Sequence, residues 1–144
     1  MFPNLGIGAV LVSATVVIHT VGLIALSAFI RTLTGKAGLN RHDLGRTAAM
    51  IATVLGIFFI HTVEVWLWAA AFLALQATGD FESALYISTA TFSTVGAADQ
   101  TLDPYWRLLG SLEAVNGFIL IGWSTAYLVA ASTRHGPFRI GEHF

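Results

Sequence analysis

The chain has 144 residues, 56% of them hydrophobic and only 10% charged, with a net charge of -1 and no cysteine. Most charges fall between long apolar runs, a composition that defines an integral membrane protein. Basic residues occur singly, which gives no footing for nucleic acid, and without cysteine there is neither a disulfide nor a thiolate ligand.

In chain order, residues 5–30 contain no acid, Lys or Arg, and their only ionisable group is His19. At about 1.5 Å per residue they span a hydrocarbon core of about 30 Å. A cleaved signal peptide would begin with basic residues and carry a shorter apolar region, and this segment has neither feature. The connection that follows holds Arg31, Lys36, Arg41 and Arg46, four of the seven basic residues, and Gly35, Gly38 and Gly45 make it turn-rich. Residues 47–76 form a second span, interrupted by His61 and Glu64. The stretch 77–104 has no Lys or Arg but holds Asp80, Glu82, Asp99 and Asp103. Residues 105–132 form a third span with Glu113 near its start, followed by a tail bearing Arg134 and Arg139. The basic clusters belong in the cytoplasm, so the N-terminus is expected outside and the C-terminus in the cytoplasm. The expected divisions are a first membrane helix at 1–31, a cytoplasmic connection at 32–46, a pore-like unit at 47–132 and a short tail at 133–144. No span carries the repeated Lys or Arg of a voltage sensor, and no soluble sensor domain is expected.

Residues 84–99 read ALYISTATFSTVGAAD, a hydroxyl-rich apolar stretch between the second and third spans. Non-helical backbone at membrane depth is tolerated only when buried in protein or lining a watery path, so the stretch reads as a re-entrant pore loop. Residues 82–93 are expected to form a helix of about three turns, with Asp80 as its N-cap and Gly79 breaking the chain before it. The helix aims its negative end at Thr94, Val95 and Gly96, where a cation is favoured. Extended backbone from Thr94 onward would then turn carbonyl oxygens toward an axis. One chain supplies one side of such a ring, so a cyclic homotetramer in the bilayer is expected. The overall class is all-α, with three transmembrane helices and a re-entrant helix and filter loop between the second and third.

These residues resemble the potassium channel superfamily pore domain, and particularly small bacterial three-span members. That family's filter reads Thr-Val-Gly-Tyr-Gly-Asp behind a pore helix like Ala-Leu-Tyr-Phe-Ser. Here Ala84-Leu85-Tyr86-Ile87-Ser88 and Thr91-Phe92-Ser93-Thr94-Val95-Gly96 match without gaps, and Arg107 followed by Gly117 is similar to the inner-helix spacing. The resemblance implies a cation-conducting pore subunit, not an enzyme, in a bacterial inner membrane. It implies no cofactor beyond permeant monovalent cations such as potassium or sodium, held at Thr94, Val95 and Gly96. Ala97 and Ala98 stand where the family has Tyr and Gly. A left-handed residue other than glycine costs about 1–2 kcal/mol, so the outer filter is expected to be wide and hydrated, with weak selectivity among monovalent cations. Asp99 would form an acidic ring at the outer mouth. A potassium-selective channel and a non-conducting membrane module built on the same scaffold are the alternatives.

Other polar residues lie inside the spans. His61 and Glu64 share a helix face, and with Glu113 they are expected to form an intramembrane cluster behind the filter, bonded to Ser88 or Thr89. The cluster reads either as a structural clamp or as a site through which pH alters conduction. The same three residues offer donors to a divalent ion, but the sequence shows no path for one. Height counting along antiparallel spans separates His19 from His61 by about 10 Å, which disfavours a heme between them and leaves His19 expected as a buried histidine bonded to a neighbouring helix. Trp66, Trp68, Tyr105 and Trp106 are expected at the outer interface, with support of the pore helix, in the absence of the filter Tyr, as the alternative for Trp66 and Trp68. Gly117 and Gly122 are candidates for a gating hinge or for close helix packing, and Asn116 for the cavity wall or a bond between subunits.

Overall fold

The computed structural model describes residues 2–36, 43–96 and 102–135, and these are helical apart from turns. Four helices follow one another: α1 (Phe2–Lys36), α2 (Asp43–Ala74), α3 (Phe81–Phe92) and α4 (Arg107–His135). Three of them are long and apolar enough to cross a membrane, over Phe2–Gly35, Leu44–Ala74 and Arg107–Arg134. The expected all-α architecture with a short helix between the last two spans is therefore present. The helices run past the expected boundaries of the 32–46 connection at both ends, since α1 continues to Lys36 and α2 begins at Asp43. Arg41, Ala97, Ala98, Asp99 and Arg139 lie outside the described residues.

α1 lies against both α2 and α4. Against α2 it runs antiparallel, and the register is fixed by small residues that admit large ones: Ile60 packs over Gly22, Leu26 packs over Gly56, and His19 meets Glu64. A Cβ on Gly22 would stand 2.8 Å from Ile60 Cγ1. This is how helices approach in lipid, where packing rather than water exclusion drives association. Against α4, α1 runs parallel. The amide of Asn4 donates to the Tyr105 carbonyl at 2.5 Å, Leu112 packs over Gly8, Asn116 Nδ2 donates to Thr15 Oγ1 at 2.9 Å, and the Ser27 and Tyr127 hydroxyls are 2.8 Å apart. Asn116 is thus spent within its own chain and is buried, so it neither lines a cavity nor reaches a neighbour in this way.

The main core gathers Trp68, Phe72, Leu109 and Leu120 around Ala84, Ile87 and Phe92 of α3. Trp68 is fully buried and stacks tilted on Phe72. It does not join an interfacial belt, because its ring fills the space between α2 and α3. Trp66 is 53% exposed and meets Phe81, the first residue of α3, edge to face.

Candidate functional site

α3 is set by its ends. The Asp80 carboxylate accepts the Ser83 backbone N–H at 2.9 Å and the Ser83 hydroxyl at 2.7 Å, the N-cap expected from the sequence. These two bonds, the backbone one foremost, hold the Asp80 carboxyl below its ordinary range. At the other end the Thr94 N–H bonds the Thr91 carbonyl and the Val95 N–H bonds the Ala90 carbonyl, both at 2.9 Å, with Thr94 in the left-handed region at φ 62°. This is a Schellman cap. The same device ends α2 around Gln76, at φ 55°.

The expectation of extended backbone from Thr94 is corrected by this turn. The last carbonyls of α3 lack helical partners, and the next two amides satisfy them by winding the chain rather than extending it. Thr94, a β-branched residue for which positive φ is rare, carries the strain, while Gly96 takes φ 86° freely. Ser93, Thr94, Val95 and Gly96 are all exposed, Val95 to 80%. Of the expected filter residues, Thr94, Val95 and Gly96 are therefore on one open turn.

Behind α3 lie two polar groups rather than one. In the first, the Ser88 hydroxyl stands 2.9 Å from the Val65 carbonyl and 2.5 Å from Glu113 Oε1, so one oxygen joins α2, α3 and α4. Thr89 instead bonds the Leu85 carbonyl of its own helix. In the second, Glu64 receives His19 Nδ1 on one oxygen at 2.9 Å and His61 Nδ1 on the other at 2.8 Å. The Nε2 atoms of His61 and His19 then meet Ser124 Oγ, at 3.0 and 3.5 Å. His19, Glu64 and Ser124 are buried. No bond links Glu64 to Glu113 among the described residues, so the expected single cluster is divided between two sites.

His19 and Ser124 were missed in the sequence as members of this group. Height counting placed His19 and His61 about 10 Å apart, yet their ring centroids are 5.4 Å apart. The count took His19 from the outer end of its span and His61 from the inner end of its own, and both spans exceed the hydrocarbon core. Counted from the ends that meet near Asn4 and Gln76, both lie about 22 Å down. A heme is still not accommodated between them, now because both rings direct their nitrogens at Glu64 and Ser124.

Gly117 sits where α3 presses on α4, and a Cβ there would meet the Phe92 carbonyl, with its carbon at 2.8 Å. Gly117 is a packing site. Gly122 has open space around it. The Phe92 ring also touches His61 edge to face at 5.6 Å, so the end of α3 is held against both spans.

Two long membrane helices clasping a short capped helix that ends in an exposed Thr-Val-Gly turn define a membrane pore domain. A family model described as "Ion channel" matches residues 60–134, and the chain belongs to that family. No curated protein and no solved structure matches the chain.

Proposed function

We propose that the chain is the pore subunit of a cation channel, assembled as a homotetramer around the Thr94, Val95 and Gly96 turns. The observation that carries this reading is the contrast on α3, whose back is bonded to both neighbouring spans while residues 93–96 at its negative end are exposed. Neighbouring subunits would draw this turn into a ring and aim its oxygens at permeating monovalent cations. Asp99 would form the acidic mouth, and Ala97 and Ala98 would leave the outer filter wide, giving weak selectivity between potassium and sodium. The N-terminus faces outward and the C-terminus the cytoplasm, by the distribution of Lys and Arg, and the resemblance to small bacterial members points to a bacterial inner membrane. No chemical step and no cofactor are involved.

A second reading, a non-conducting membrane module, is favoured by the wound form of the turn, in which Thr94 and Val95 cap their own helix. Planar-bilayer recordings under a potassium-to-sodium gradient, with Gly96→Leu alongside, separate the readings. Weak selectivity gives a reversal potential near zero and a current abolished by Gly96→Leu. A reversal near the potassium equilibrium potential would instead make the channel potassium-selective. Silence across pH and voltage would leave the non-conducting module.

A further inference from the structure

The His19, His61, Glu64 and Ser124 group has more lone pairs than hydrogens. As an ionised carboxylate Glu64 only accepts, so the two Nδ1 atoms that touch it carry the imidazole hydrogens. Both Nε2 lone pairs then face Ser124 Oγ, whose hydroxyl has one hydrogen to give. In that arrangement one lone pair is left over, and a cation bound on the Nε2 side would take it up. The carboxylate behind the rings is also what fixes a metal-binding tautomer, since ligating imidazoles commonly donate their other N–H to a carboxylate.

We propose that His19 Nε2, His61 Nε2 and Ser124 Oγ bind a divalent transition-metal ion such as Zn2+, with Glu64 holding both imidazoles from behind. Ser124 Oγ lies 3.0 Å from His61 Nε2 and 3.5 Å from His19 Nε2, and the two rings are 5.4 Å apart, so the side chains need only small movements to close on an ion. Zinc takes imidazole nitrogen at about 2.0–2.1 Å in a tetrahedral set, and imidazole with oxygen suits zinc, copper or nickel rather than magnesium or calcium. A cavity of about 490 Å³ between α2, α3 and α4 opens on His61 and Ser124 and reaches Ser93, beside the exposed turn. A fourth ligand would have to enter by that cavity. The site ties together α1, α2 and α4, so an ion there clamps the last span to the other two.

The test is equilibrium dialysis of the purified full chain in lipid nanodiscs against Zn2+, with metal counted per chain and the zinc K-edge absorption spectrum recorded. One retained zinc per chain, with imidazole and oxygen scattering, is expected. Glu64→Gln should weaken binding about 10–100-fold, and His61→Gln should remove stoichiometric binding. Ser124→Ala, which keeps both imidazole–carboxylate bonds, should weaken binding and serves as the deciding variant where His61→Gln does not fold. No retained zinc, a spectrum without imidazole, or wild-type affinity in Ser124→Ala and His61→Gln would overturn the site. The measurement reads no current, so it fails or succeeds independently of conduction.

Discussion

Behind α3, polar side chains from all four helices are spent on one another, whereas in front of it residues 93–96 turn over into exposed backbone. The bonds of the rear groups are made within a single chain, although Glu113 Oε2 is buried without a partner. His19 comes from α1, Glu64 and His61 from α2, Ser88 from α3, and Glu113 and Ser124 from α4. The front turn satisfies the last carbonyls of α3 at the expense of a left-handed threonine and leaves Val95 uncovered. At membrane depth exposed irregular backbone needs protein or water against it. The difference teaches that one chain suffices to build the scaffold, while the front turn is finished by something outside it.

That comparison can be broken at several points. Glu64→Ala leaves two imidazole N–H groups without an acceptor and should have the largest effect, a loss of about 1–3 kcal/mol for each in SDS-induced unfolding of the purified protein. An effect near zero would mean that the rear group is not a clamp. Gly117→Val forces a side chain into the Phe92 carbonyl and should cost about 1–3 kcal/mol, while Gly122→Ala, in open space, should stay within about 0.5 kcal/mol; equal losses would refute the packing role of Gly117. Thr94→Gly relieves the positive φ at the front turn and should stabilise the isolated chain by about 1 kcal/mol, the opposite sign to the rear substitutions. The smallest effect is at the N-cap. Because the folded Asp80 carboxyl is held below its ordinary value of 3.8, its contribution is present above that value and fades as pH falls through the folded one. Exchange of the Ser83 amide should be faster in Asp80→Ala than in the wild type near neutral pH, and the gap should close under acid conditions.

Much of this was legible in the chain because the signals are local. Asp80 three residues before Ser83, and a hydroxyl-rich apolar run between two long apolar spans, fix α3 and its start. The pairing of His61 with Glu64 follows from helical spacing. What escaped depended on the register between helices, which helix periodicity does not encode. The level of His61 followed from the inner end of its span rather than the outer one, and Asn116 found Thr15 only because α1 lies parallel to α4. Trp68 has the composition of an interfacial residue but the position of a core one. The wound turn at Thr94 was missed because the demand of α3 for capped carbonyls outweighs, within one chain, the extended form that a ring would impose.

The parallel seating of α1 on α4 also bears on how the protein is made. The partners of Asn4, Thr15 and Ser27 lie about a hundred positions later in the chain, at Tyr105, Asn116 and Tyr127. At about 5–20 residues per second of synthesis, the first span waits on the order of 5–20 s without those contacts, its Thr15 and Ser27 hydroxyls bonded meanwhile to carbonyls of their own helix, while His19 gains its partner earlier, when α2 arrives. Completion of the fold is therefore a late event in biogenesis, and until the last helix enters the membrane the first is docked on one side only.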